Sequence, residues 1–151
     1  MEFKYYIGTE KHKLYLSAIL DLYDRRIVSF VIRNALVFET FDKAVTANPE
    51  AHPLFHSDRR FQYTNRIFHS KLEQAGMIQS MSRVGKCIGN GPLEGFWGIR
   101  KRERYYGKRF TSREALVTMI ENYIFYYNTR RLQRRLGVLT SFEKHRMYFA
   151  S

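Results

Sequence analysis

Two almost uninterrupted apolar runs constrain this chain most. Residues 14–20 are Leu14, Tyr15, Leu16, Ser17, Ala18, Ile19 and Leu20, and residues 27–32 are Ile27, Val28, Ser29, Phe30, Val31 and Ile32. A strand that is apolar on both faces must be covered on both faces, so these runs belong in a sheet with helices packed against it. Residues 2–7 alternate more loosely and read as a preceding strand. Gly8 with the polar residues 9–13 suits the first turn, and residues 21–26 suit the second. The three strands are expected to run antiparallel.

Alternation of strands and helices follows. Residues 38–47 read as a short helix ended by Asn48 and Pro49, and residues 53–56 as a short apolar strand that delivers Asp58 at its carboxyl end. Residues 64–75 read as a helix closed by Gly76, residues 77–81 as a fifth strand, and residues 83–91 as a glycine-containing loop. Helices are expected over residues 92–105 and 112–128. The second starts with a capping-box pattern, Thr111 and Glu114, and carries an apolar face at Leu116, Met119, Ile120, Tyr123 and Tyr127. This order predicts one α/β domain over residues 1–151, a five-stranded mixed sheet flanked by helices, with the Asp58 strand beside the first strand and no second domain.

Composition narrows the function. The chain is 44% hydrophobic, which excludes a disordered tail, and carries a formal net charge of +12, which favours a polyanionic partner, nucleic acid above all. Residues 98–135 hold eleven Lys or Arg against three Glu, with Tyr105, Tyr106 and Phe110 among them. Such a stripe attracts phosphates and carries little base specificity. The single cysteine, Cys87, excludes an internal disulfide and a cysteine-based metal site; it reads as a loop or packing residue. The start lacks a signal-peptide pattern and the apolar runs are too short to span a membrane, so a cytoplasmic protein is expected.

Two carboxylates stand out. Asp58 ends a short strand, where open α/β sheets place their sites, and Glu94 falls in the first turn of a helix opened by Gly91 and Pro92. Thirty-five residues separate them. Paired carboxylates suit Mg²⁺, a hard ion that takes oxygen ligands and shares them with substrate phosphates.

At these residues the chain resembles a known family. His56-Ser57-Asp58-Arg59, Gln62-Tyr63-Thr64, Gln79 to Arg83, Asn90 to Gly98 and Tyr127-Asn128-Thr129-Arg130-Arg131 are similar, in order, to the integrase core of bacterial insertion-sequence transposases. The likeness is to the second reading frame of the insertion-sequence three family, akin to retroviral integrases. It covers essentially the whole chain. The resemblance implies a ribonuclease H-like fold and three acidic residues that hold two divalent ions, Mg²⁺ or Mn²⁺. Asp58 matches the second acid and Glu94 the third. Two such ions about 3.5–4 Å apart activate the attacking oxygen and stabilise the leaving one. The family's attackers are water and then a 3′-hydroxyl, giving strand cleavage and strand transfer. Lys101 matches a basic position used against DNA; two helical turns from Glu94, it shares that residue's face about 10 Å away. Arg100, Arg104, Arg130 and Arg131 complete the expected DNA contacts. DNA element ends, target DNA, further copies of the chain and full-length transposase are the implied partners.

The family's first acid lies in a Thr-Asp-Val-Thr-like segment ahead of the residues matched by Glu2, Phe3 and Lys4. That segment is not among these residues, so the expectation is a truncated core, inactive alone. Asp21 and Asp24 match non-catalytic positions; Asp21 replaces the missing acid only if it comes within metal reach. Arg60, Gly89 and Ser141 stand where the family has Gly, Asp and Pro. The alternative reading is a non-catalytic module that binds DNA or joins full-length transposase.

Overall fold

The computed structural model describes residues 2–33, 37–57, 61–81, 91–100, 103, 105 and 107–150, with backbone alone at residues 33, 37, 61, 62 and 100. The expected loop over residues 83–91, Cys87 included, lies outside the described residues except at Gly91.

Strands β1 (Glu2–Ile7), β2 (Glu10–Leu20) and β3 (Ile27–Arg33) form an antiparallel sheet in that order, as the apolar runs require. Strand β2 begins four residues before its apolar run. The hairpin closes through Gly8 at φ +59, and the polar Lys11 and Lys13 become strand residues opposite Tyr6 and Lys4. The expected long polar turn is therefore a tight one. The second turn is built by its aspartates. Asp21 Oδ1 accepts the Tyr23 N–H at 2.7 Å, and Asp24 Oδ1 accepts the Arg26 N–H at 2.8 Å.

Helix α1 (Val37–Ala47) covers one face of β2 and β3, where the Ser29 hydroxyl donates to the Thr40 carbonyl at 3.0 Å. Strands β4 (Leu54–Ser57) and β5 (Ile78–Met81) pair in parallel through α2 (Phe61–Thr64) and α3 (Arg66–Gln74). A single helix over residues 64–75 is not what forms. Asn65 is extended and caps α3, its side chain accepting the Ile67 N–H at 2.8 Å, which separates the two helices. Gly76, at φ +66, closes α3 as expected.

Five strands are present, but among the described residues they make a three-stranded and a two-stranded sheet, not one sheet of five. At the edge of β1 the expected pairing with β4 is replaced by other contacts. On the edge of β1 away from β2, the Lys4 N–H is taken by the Tyr105 hydroxyl at 3.0 Å and the Tyr6 N–H by the Phe110 carbonyl at 2.8 Å. The chain after α4 thus occupies the edge that β4 was expected to fill.

Helix α4 (Gly91–Arg100) and helix α5 (Arg113–Thr129) contribute to the core on the opposite sheet face. Phe3, Leu14, Leu16 and Ile27 bury against Phe96, Leu116, Ile120, Tyr123, Ile124 and Tyr127. The expected face of α5 is the buried one, with Met119 at its margin. Its cap is Ser112 rather than Thr111, the hydroxyl accepting the Ala115 N–H at 3.1 Å. A smaller aromatic cluster, Phe41, Phe68 and Leu72 with Phe38, Phe55 and Tyr63, joins α1 and α3 to β4.

Helix α6 (Ser141–Ala150) was not anticipated, although a local signal marks its start. Glu143 accepts the Thr140 N–H at 2.8 Å while the Thr140 hydroxyl accepts the Glu143 N–H at 3.1 Å, a reciprocal capping box. Ser141, in the position where the resembled family has Pro, is fully buried and accepts the Gln133 amide at 2.8 Å. No helix among the described residues is long and apolar enough to cross a membrane.

Candidate functional site

Helix α4 presents Glu94 by burying what lies across from it. Phe96 is 1% exposed and packs edge-on against Tyr127 at 4.7 Å, with Trp97 at 4.8 Å. Two residues are about 200° of helical rotation, so fixing Phe96 inward turns Glu94 outward, where it is exposed. A carboxylate in the first helical turn also faces the positive end of the helix dipole.

Strand β4 ends at Ser57, which is buried and held from two elements. The Gln79 amide of β5 donates to Ser57 Oγ at 3.1 Å and to the Tyr63 carbonyl of α2 at 2.9 Å. One side chain therefore ties both strands to the helix that follows. Beside it, His56 Nδ1 meets Ser80 Oγ at 3.1 Å. Asp58, the next residue after Ser57, lies outside the described residues, and with it the separation from Glu94. Among the described residues no group of three or more His, Cys, Asp or Glu could hold a metal ion. Asp21 and Asp24 both brace the second turn. Asp24, 1% exposed, also receives His145 Nδ1 at 2.8 Å, which docks α6 on the second turn.

The basic residues divide. Lys101 and Arg104 lie outside the described residues, as does the Arg100 side chain. Arg130 is exposed, its guanidinium 6.0 Å from the Phe125 ring. Arg131 is engaged within the chain: Nε and Nη2 donate to Glu103 Oε1 at 3.3 and 3.0 Å, while the Tyr123 hydroxyl donates to Glu103 Oε2 at 3.0 Å. Burial, and then the Glu103 carboxylate, push the Tyr123 hydroxyl far above the ordinary tyrosine range. For Arg131 burial opposes the charge, but the Glu103 carboxylate outweighs it and holds the guanidinium above its ordinary value.

Two positioning roles escaped the sequence reading, although both residues belong to the segments that carried the resemblance. Gln79 is one. The other is Asn128, whose Oδ1 accepts the Ile27 N–H at 2.9 Å and whose Nδ2 donates to the Ile27 carbonyl at 3.0 Å, clamping α5 to the start of β3.

Comparison with known proteins agrees with this architecture. An integrase core domain family model matches residues 1–87, and a second of the same description matches residues 94–147. An uncharacterized transposase-like protein of Haemophilus influenzae is 41% identical over 132 residues, 85% of this chain and 61% of that protein. The putative transposase InsK for insertion sequence element IS150 of Escherichia coli is 37% identical over 136 residues, 87% of this chain and 48% of that one. An insertion element IS600 31 kDa protein of Shigella sonnei is 36% identical, covering 87% and 51%. The chain spans about half to three-fifths of the length of these curated relatives. The HTLV-2 integrase catalytic core domain, solved with magnesium in a trimeric form, superposes with a TM-score of 0.62 at 13% identity over 96% of this chain and 92% of that one. This likeness establishes the ribonuclease H-like fold. With more than half its length matched by the first model alone, the chain belongs to the integrase core domain family.

Proposed function

We propose that this chain is the core of a DNA transposase that cuts and joins DNA strands, with Asp58 and Glu94 as two of its three catalytic acids. The observation that carries the reading is the pair of integrase core matches. The first contains Asp58, and the second starts at Glu94, which α4 holds exposed. A carboxylate on a well-anchored first helical turn offers the oxygen donors that Mg²⁺ or Mn²⁺ takes, so the donor chemistry fits. Bound there, a divalent ion would supply charge stabilisation at the phosphorus and at the oxygens entering and leaving it.

The chain's own residues do the positioning. Gln79 fixes the strand end from which Asp58 departs, Phe96 orients Glu94, and Asn128 fixes the sheet against α5. Lys101, Arg100, Arg104 and Arg130 would meet the DNA phosphates, with Arg131 shaping that surface through Glu103. The partners are element-end and target DNA, with further copies of the chain assembled on them, in the cytoplasm.

The 151 residues hold two of the family's three acidic positions, so the polypeptide of these residues alone is expected to nick poorly. Placing a Thr-Asp-Val-Thr-like strand ahead of Met1 should give Mg²⁺- or Mn²⁺-dependent nicking of labelled element-end DNA. In that longer polypeptide Asp58→Asn and Glu94→Gln should each abolish nicking while leaving the thermal transition in place. Nicking that survives either substitution overturns the assignment of that acid. Equal nicking by the 151-residue polypeptide would mean that another group supplies the third ligand.

A further inference from the structure

On the face of the β1–β2 hairpin turned away from α4 and α5, lysines gather that the candidate site does not use. Strand alternation sends Phe3 and Tyr5 toward the core and Lys4 and Tyr6 to the other side. The register sets Lys4 opposite Lys13 and Tyr6 opposite Lys11. Helix α1 covers this face farther along β2, near Ile19, but the hairpin end is uncovered: Lys11 and Lys13 are exposed. Next to them Lys4, Tyr6, Tyr105, Gly107, Lys108 and Arg109 line an open groove. Arg109 is fixed there, its guanidinium 4.8 Å from the Tyr6 ring and Nη2 donating to the Gly8 carbonyl at 3.4 Å.

Charge is not balanced within this patch. Lys13 has a carboxylate partner, Glu2 at 3.2 Å. Among the described residues no carboxylate lies within ion-pair distance of Lys4, Lys11, Lys108 or Arg109. Lys4 stands two residues along β1 from the partner of Lys11, a diagonal placement within reach of long side chains, and like charges so placed repel. The nearby Lys4 ammonium holds Lys11 below the ordinary lysine range, with Glu2 opposing the shift. An arrangement that costs stability in the isolated chain is relieved by an anion that bridges the cations. The aromatic rings of Tyr6 and Tyr105 leave the groove no acidic wall.

We infer that the groove between the β1–β2 hairpin and residues 105–109 is a second DNA-backbone site, in which Lys4, Lys11, Lys108 and Arg109 hold phosphates on the sheet face opposite α4. The inference rests on the proposed DNA function and adds a surface to it: DNA would contact both the α4 side and the far side of the hairpin. Recognition would be of phosphate rather than of bases, because the groove lining holds no Asn or Gln and its one guanidinium is tied to the Gly8 carbonyl and the Tyr6 ring.

The test uses the full chain, a 20-base-pair duplex of arbitrary sequence and fluorescence anisotropy across a salt series. Combined Lys4→Gln, Lys11→Gln and Lys108→Gln should lower affinity and flatten the slope of log affinity against log salt by about 2 to 3, at roughly 0.9 for each phosphate that is no longer neutralised. Arg109 is left intact because it packs on Tyr6. The same variant should melt at or above the temperature of the parent chain in low salt, since the substitutions remove repulsion. Loss of binding with unchanged or raised melting temperature is the expected signature. An unchanged slope in a variant that binds as well as the parent removes the groove from the DNA footprint and leaves the proposed function standing. A lowered melting temperature that accompanies the binding loss makes these lysines structural and overturns the inference. A parent chain that does not bind the duplex at all overturns the DNA reading itself.

Discussion

Asn128 should be worth more to this fold than any other exposed-end polar residue of α5, and the amount follows from what it satisfies. Both backbone groups of Ile27, a residue 4% exposed, bond to the one side chain, the N–H at 2.9 Å and the carbonyl at 3.0 Å. Replacing Asn128 by Ala removes both partners and brings nothing to replace them. An unsatisfied buried group costs about 1–3 kcal/mol, and the site is only part-buried, so the loss should be about 2–4 kcal/mol. For a chain of this size each kcal/mol moves the melting temperature by about 2–4 °C, so a fall of roughly 5–15 °C is expected. Asn128→Asp sharpens the test. At neutral pH a carboxylate oxygen would face the Ile27 carbonyl where an amide now donates, and the fold should be destabilised at least as much as by Ala. That repulsion raises the folded-state pKa of the new carboxyl above its unfolded value. Its stabilising protonated form is therefore fully present below the unfolded pKa and lost as pH rises through the folded one. The deficit of Asn128→Asp relative to Asn128→Ala should accordingly shrink on acidification. Urea titrations at pH 7 and pH 4 measure this. A loss below about 1 kcal/mol for Asn128→Ala, or an Asn128→Asp protein as stable as the parent at pH 7, would show that the clamp does not hold β3 to α5.

Two further outcomes probe neighbouring elements. Phe96→Ala should cost about 3–5 kcal/mol, because the ring is 1% exposed and packs on Trp97, Tyr123 and Tyr127; a shifted urea midpoint with an unchanged slope is the measurement. Glu143 is held below its ordinary value of 4.5 by the Thr140 N–H and hydroxyl. Its stabilisation of α6 is thus complete above 4.5 and fades as pH falls through the lowered value. Glu143→Gln should therefore melt lower than the parent at pH 7, with a gap that narrows below pH 4.5.

The legible parts of this molecule are those that local pattern decides. Residues 14–20 and 27–32 had to be strands covered on both faces, and α1 on one side with α4 and α5 on the other supply the cover. The apolar face of α5 was readable because five of its positions recur at helical spacing. Caps and tight turns were readable in principle and were misplaced: Asn65 and Ser112 each move a helix start, and Gly8 shortens a loop, through a single side chain or a single φ. The partition of the sheet was of another kind. It depends on Tyr105 and Phe110 reaching the edge of β1 across about a hundred residues, and no periodicity within either segment encodes that meeting.

The candidate site divides along the same line. Asp58 and Glu94 stand out in the sequence for their places at a strand end and a helix start, which are local properties. What makes those places fixed is long-range: Gln79 binds the end of β4 to α2, and Phe96 is seated among α5 side chains more than twenty residues away. A sequence can therefore nominate a carboxylate by its address while leaving unseen the residues that keep it there. Asn128 makes the point most sharply. It stands inside the Tyr127 to Arg131 segment that carried the family resemblance, next to two arginines expected to meet DNA, yet its side chain is committed to the backbone of Ile27. A segment that marks a family of DNA-joining cores is, at this residue, marked by what holds the core's sheet to its helix.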